Sequence, residues 1–315
     1  MKGDIPMGTI GINFKNIQHQ YRTKDVLRGV SFHADPSSIT FLAGENGAGK
    51  TTLIKVALGL ISPKAGNALF DGQSVGEIRE KISCVFDEPP VYPNESGLDN
   101  LKFLSGIHSL DRKWSQEVCA MLKLDEGLLK QKAKALSLGQ RHRLAVAAAL
   151  LRKPKYLFLD EPSIGLDPPS WQLVQIALKQ MTARGCAILI TGQNYDAIEN
   201  LADNIAILQS GKIIFSGPIV KLVQAFPVYV RIVTADHREI AVQFPEAEPD
   251  SSGIYRIVCE SGEQARAVID QVRRSTLNFQ ELSTEKASMG KMVTDIYKDG
   301  FQSEKRGLTY ESVQN

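Results

Sequence analysis

Gly44-Glu45-Asn46-Gly47-Ala48-Gly49-Lys50-Thr51 decides the reading of this chain. The stretch fits G-x-x-x-x-G-K-[ST] at every fixed position. It follows the apolar run Ser38-Ile39-Thr40-Phe41-Leu42-Ala43 and precedes the helix-forming Thr52-Leu53-Ile54-Lys55-Val56-Ala57-Leu58. A strand, a glycine-rich loop and a helix in that order make a phosphate cradle. The loop curls so that backbone N–H groups converge on phosphate oxygens, and the helix N-terminus adds unpaired N–H groups and partial positive charge. Lys50 is expected to reach the β- and γ-phosphates and the Thr51 hydroxyl to hold Mg2+, with Thr52 counted among the binding residues of the loop. The ligand class is a nucleoside triphosphate.

The rest of the composition bounds the setting. The chain has 315 residues, enough for one large or two modest domains, and 43% hydrophobic residues, ordinary for a globular protein. A net charge of +2 gives no reason to expect a nucleic-acid partner. No apolar run approaches the roughly 20 residues needed to span a bilayer. The start, Met1-Lys2-Gly3-Asp4-Ile5-Pro6, lacks the apolar core of a signal peptide. The expectation is a cytoplasmic protein that meets a membrane only through a partner. Cys84, Cys119, Cys186 and Cys259 have no C-x-x-C spacing, and the five histidines form no ligand-spaced pair. The cysteines read as small buried hydrophobes, and no structural metal is expected.

From residue 8 to about 226 strand-like and helix-like segments alternate, which predicts a sheet with parallel strands and covering helices. The apolar Leu157-Phe158-Leu159 and Ile188-Leu189-Ile190 read as strands buried on both faces. Residues 92–151 look helical, an insertion beside the sheet. Over 227–300 a small α+β domain is expected, with a ferredoxin-like arrangement as one candidate. Its first element reads as a hairpin in which Val228, Val230 and Ile232 alternate, then Ile240, Val242 and Phe244. Further expected elements are a strand over Gly253–Cys259, a helix opened by the capping box Ser261-Gly262-Glu263-Gln264, a strand over Leu277–Leu282 and a helix over Ala287–Lys298. A polar tail is expected over 301–315.

A second constellation narrows the chemistry. Tyr156-Leu157-Phe158-Leu159-Asp160 is a buried strand ending in a carboxylate placed to hold Mg2+, and Glu161 follows where it can act as general base on an attacking water. Alone, an Asp-Glu pair before Pro162 would read as a turn or helix cap. After four apolar residues and downstream of a phosphate loop, the functional reading prevails.

Upstream of that strand lies Leu136-Ser137-Leu138-Gly139-Gln140-Arg141-His142-Arg143. Here the sequence resembles the ABC-transporter ATPase family, whose signature is Leu-Ser-Gly-Gly-Gln; Leu138 takes the place of a Gly. The resemblance covers roughly Ile10 to Phe226 and implies a P-loop NTPase core with a mixed sheet, a helical insertion subdomain and the small C-terminal domain. It further implies a head-to-tail dimer with a second copy or a related ATPase subunit. Ser137, Gly139 and Gln140 of one subunit would then act on the ATP held by the other, Tyr21 would stack on adenine, and Ser163-Ile164-Gly165-Leu166-Asp167 would line the seam. Leu98–Ser105 would lie where a membrane permease docks.

Two positions depart from the family. Asp87 stands where a Mg2+-contacting glutamine is usual; an acidic residue there is similar to the lantibiotic-immunity branch, which carries Glu at this point. Gln193, in Thr191-Gly192-Gln193, stands where a switch histidine is usual. Gln193 can donate an N–H to the γ-phosphate but cannot carry charge or relay a proton. The resemblance therefore implies the ATP-binding subunit of an exporter at the cytoplasmic side of the cell membrane, using ATP and Mg2+, with hydrolysis slower than is usual for the family. A role in antimicrobial export or self-immunity would suit it. The rivals are a non-transport ATPase of the same fold and a hydrolysis-impaired nucleotide sensor.

Overall fold

A computed structural model describes residues 10–107, 111–250 and 252–299. The expected polar tail and the first residues of the first domain lie outside the described residues. The chain divides into two compact units between Ile219 and Val220.

Along the first unit run β1 (Ile12–Tyr21), β2 (Lys24–Ala34), β3 (Ile39–Ala43), α1 (Lys50–Ala57), β4 (Ala65–Phe70), α2 (Val75–Ile78) and β5 (Ile82–Val85). Four helices follow, α3 (Gly97–Ser105), α4 (Arg112–Met121), α5 (Glu126–Lys130) and α6 (Leu138–Leu151). The unit then returns to β6 (Tyr156–Asp160), α7 (Pro168–Ala183), β7 (Ala187–Gly192), α8 (Tyr195–Ile198), β8 (Asn204–Gln209) and β9 (Lys212–Pro218).

Two sheets form. One is antiparallel, in the order β2-β1-β4; the other has six strands in the order β5-β6-β7-β3-β8-β9. The larger sheet is parallel except for the β8–β9 hairpin, so it is mixed. Its inner strands β3, β6 and β7 are buried at every residue, as their unbroken apolar runs require. Leu53 and Ile54 of α1 share one core with Phe70, Phe158 and Leu189, which seats the helix between the sheets. The parallel register pairs Ala43 with Gly192 and Asp160 with Thr191. The carboxyl ends of β6, β7 and β3 thus stand side by side, the usual ligand edge of an open α/β sheet.

Helices α3 to α6 make the insertion, capped by Ser96, Asp111, Asp125 and Ser137, whose side chains accept from Asp99 N, Trp114 N, Leu128 N and Gln140 N respectively. Residues Leu144 to Leu151 of α6 are all buried, and Trp114 of α4 donates its indole N–H to Leu150 O at 3.1 Å.

The second unit begins earlier than the boundary expected after residue 226. Leu222 and Phe226 are buried, so α9 (Ile219–Gln224) is a packed helix grouped almost wholly with the residues after it. Then come β10 (Val228–Val233), α10 (His237–Gln243), β11 (Glu248–Pro249), β12 (Tyr255–Cys259), α11 (Gly262–Arg274), β13 (Glu281–Lys286) and α12 (Met289–Asp299). The sheet order β11-β12-β10-β13, antiparallel throughout, with β-α-β-β-α-β connectivity, is a ferredoxin-like arrangement.

The expected hairpin is corrected here: its second arm is helix α10. Ile240 and Phe244 are buried and four apart, whereas Val242 is 77% exposed, a helical period rather than an alternating one. Asp236 caps the helix by accepting from Glu239 N at 3.1 Å. The last strand also starts later than expected, at Glu281 rather than Leu277.

The sulfur chemistry is subdued. Burial, joined at Cys84 by the charge of Asp160, pushes the Cys84 and Cys186 thiols up to about 12.

Asp71 ties three strand ends together. It accepts from Gly11 N at 2.6 Å, pairs with Lys155 and bonds the Tyr156 hydroxyl, at the starts of β1 and β6 and the end of β4. Burial alone would raise its carboxyl; the bonds from Lys155, Gly11 and Tyr156 outweigh burial and hold it below the usual carboxylate range. A depressed carboxyl stabilises the fold above its unfolded value, and that stability is lost as pH falls through the folded one. Asp71→Asn should therefore cost about 1–2 kcal/mol at neutral pH in urea unfolding. The gap from wild type should close in acid; a gap constant from neutral pH into strong acid would contradict this.

Candidate functional site

The glycine-rich loop leaves β3 at Ala43 and enters α1 at Lys50. Gly49 holds φ 112° as the N-cap, and a Cβ there would meet Leu27 Cδ2 at 2.8 Å and Val26 O at 3.1 Å. No other residue fits that position. Glu45, Asn46 and Gly47 form the exposed crest; Ala48, Gly49 and Lys50 turn inward.

The Lys50 side chain is only 6% exposed. Its ammonium donates to Gly44 O at 2.7 Å and Glu45 O at 3.3 Å, and pairs with Glu161 Oε1 at 3.1 Å. A buried ammonium satisfied by two loop carbonyls and one carboxylate can exchange those partners for phosphate oxygens.

Beside it, Asp160 is 2% exposed, and both of its oxygens are occupied. Oδ2 accepts from Thr51 Oγ1 at 2.7 Å and Oδ1 from Thr191 Oγ1 at 2.5 Å. A hydroxyl and a carboxylate in contact are hard oxygen donors, the set Mg2+ favours, so these residues fit that ion. Glu161 sits at φ 50°, a left-handed conformation that costs a non-glycine residue roughly 1–2 kcal/mol. The surrounding contacts hold it there: its N–H donates to Thr191 Oγ1 at 3.1 Å and its carboxylate meets Lys50.

The structure brings Gln193 to the loop by its own amide. Gln193 Nε2 donates to Asn46 Oδ1 at 2.6 Å. Tyr21 is exposed at the end of β1, its ring edge-on to His19, and pairs in register with Lys24. Lys24 lies two residues before Val26, whose carbonyl borders Gly49.

Asp87 is exposed, two residues past the end of β5, and its carboxylate accepts from Glu88 N at 2.9 Å. Its charge is felt at His142 of α6, where burial and Arg141 lower the imidazole and Asp87 opposes them.

At the signature segment Ser137 is exposed and caps α6, while Gln140 closes the capping box by accepting from Ser137 N at 2.8 Å. Gly139 faces inward: a Cβ there would lie 3.1 Å from Ser170 Oγ and 3.3 Å from Asp167 Oδ1. Ser137 thus presents its hydroxyl at the exposed end of the helix.

In sequence and in fold the chain is similar to ATP-binding proteins of ABC transporters. A family model described as ABC transporter matches residues 27–164. The lantibiotic transport ATP-binding protein SrtF of Streptococcus pyogenes is 33% identical over 206 residues, 64% of this chain and 89% of that protein. The linearmycin resistance ATP-binding protein LnrL of Bacillus subtilis is 32% identical over 211 residues, 64% of this chain and 68% of its own length. A solved ATP-binding subunit of an ABC transporter superposes with a TM-score of 0.61 at 24% identity, covering 67% of this chain and 91% of that one; the fold is shared.

Gly49→Ala should open the loop. Both the φ and the contacts at Leu27 and Val26 forbid the methyl group. Unfolding stability should fall by about 1–3 kcal/mol and nucleotide affinity by at least about tenfold. Wild-type affinity in this variant would contradict the geometry.

Proposed function

Because the chain belongs to the ABC transporter ATP-binding family, we propose that it binds ATP with Mg2+ as the energising subunit of an exporter and drives a separate membrane permease. The observation that carries the reading is the Lys50–Glu161 ion pair at 3.1 Å beside the Thr51–Asp160 bond at 2.7 Å. Lys50 would bind the β- and γ-phosphates, and Thr51 and Asp160 would hold Mg2+. When bound, that ion neutralises phosphate charge. A triphosphate competes with Glu161 for the Lys50 ammonium. Once released, the carboxylate is free to accept a proton from water as general base.

Ser137 of a second cassette would complete the phosphate site with its hydroxyl and helix N-terminus. That cassette is a copy of this chain or a related subunit. ATP then favours the closed pair by its differential affinity for closed over open. No helix among the described residues is long and apolar enough to cross a membrane, which suits a peripheral subunit on the cytoplasmic side. Exposed Tyr92, Leu98 and Phe103, the two rings edge-to-face at 5.7 Å, offer an apolar patch on the helical insertion for the permease. The relatives' names, lantibiotic transport and linearmycin resistance, support export of, or immunity to, antimicrobial compounds.

Hydrolysis is proposed to be slow. Gln193 is a neutral donor engaged by Asn46, and Asp87 brings a carboxylate where an amide is usual. A neutral donor stabilises developing transition-state charge less than an imidazolium does.

ATPase assays of the full chain with its permease test the machinery. Glu161→Gln should lower turnover about 10²–10⁴-fold with ATP binding kept. Gln193→Ala should lower it further from an already slow wild type; an unchanged rate would sink the role of Gln193. A wild type with no turnover above Glu161→Gln would point to a nucleotide sensor instead. Separately, Phe103→Asp should abolish co-purification of the permease from detergent extracts while ATP binding persists. Undiminished co-purification would move the docking surface elsewhere.

A further inference from the structure

The hydroxyl of Thr191 touches two of the residues that carry the proposed chemistry, although in the sequence it stands out only as the residue two before Gln193. We infer that Thr191 is a positioning residue: its one hydroxyl aims the Asp160 carboxylate and fixes the Glu161 backbone, so that the metal-holding and proton-accepting groups are set by a single side chain. This inference deepens the nucleotide-hydrolysis reading above and rests on it.

The parallel register places Thr191 of β7 directly beside Asp160 of β6. Side chains at paired positions of neighbouring strands point to the same face. The Thr191 residue is fully buried, so no water competes for its hydroxyl. That hydroxyl has one hydrogen to give and lone pairs to accept. The hydrogen goes to Asp160 Oδ1 at 2.5 Å. A lone pair takes the Glu161 N–H at 3.1 Å. With Thr51 on Oδ2, the carboxylate is held from both sides and cannot rotate without breaking a bond. Glu161, held left-handed at φ 50°, has its N–H anchored by the same atom.

One further observation separates this from ordinary strand packing. Thr40 of β3 is as buried in the same sheet, yet its hydroxyl has no hydrogen-bond partner, so a threonine in these strands can serve as volume alone. The end of β7 thereby reaches three parts of the cleft: Asp160 and Glu161 through Thr191, and Asn46 of the loop through Gln193.

The test uses the full-length chain and a fluorescent ATP analogue, first in EDTA and then titrated with Mg2+. Thr191→Val keeps the shape and removes the hydroxyl. Its affinity in EDTA should stay within about twofold of wild type, because Lys50 and the loop are untouched. Partners that orient metal-holding groups are typically worth 10–100-fold, so its Mg2+ midpoint should rise by about that factor and turnover fall in step. Thr191→Ser should recover most of both. If Thr191→Val does not fold, Thr191→Ala against Thr191→Ser carries the same contrast. A wild-type Mg2+ midpoint without the hydroxyl would overturn the inference. So would a serine variant no better than valine or alanine, since restoring the hydroxyl would then restore nothing. A wild-type chain that binds the analogue under neither condition would remove the nucleotide reading itself, and the inference with it.

Discussion

A carboxylate buried at the end of a strand must find donors, and the placement of Asp160 depends on finding two. Thr51 reaches it from the first turn of α1 and Thr191 from the neighbouring strand. Both donors exist only because the sheet order is β6-β7-β3, with the loop following β3. If β7 were displaced, Asp160 would be left with an unpaired oxygen in the core, at a cost of a few kcal/mol. The strand order, the loop and the site are therefore one constraint.

The same logic accounts for Lys50. An ammonium this buried is tolerable because Gly44, Glu45 and Glu161 surround it with oxygen. Those partners are two carbonyls and one carboxylate, which hold a positive charge without saturating it. A polyanion can replace them at little cost in desolvation, which makes the loop receptive to phosphate. The carboxylate released by that exchange is the one suited to accept a proton.

Much of this is legible in the chain itself, and the physical reasons differ by residue. The loop is a local signal: fixed spacings and flanking elements specify it without reference to distant residues. The β6 strand is legible because a wholly apolar run that ends in Asp-Glu, downstream of such a loop, sets two carboxylates at the ligand edge of a buried strand. Thr191 is not legible, since its importance arises from parallel register across a long crossover, which no local pattern reveals. Counting along β5 gives Asp87 its place after the strand, but not that its carboxylate takes the N–H of Glu88. Residues 240–244 mislead because large apolar residues at every second position, Ile240, Val242 and Phe244, fit a strand, while Asp236 supplies the cap for a helix. The capped helix Gly262–Arg274, thirteen residues with a clear apolar face, leaves no such ambiguity.

At the centre of the proposed cycle, ATP clamps two cassettes together, each molecule held by the loop of one and the Ser137 helix end of the other. Sedimentation analysis of full-length Glu161→Gln protein with Mg-ATP, alone and with its permease, measures this most directly. A pair of cassettes should form with ATP and be lost when Ser137→Ala is added. Isolated cassettes under every condition, including with the permease present, would contradict it.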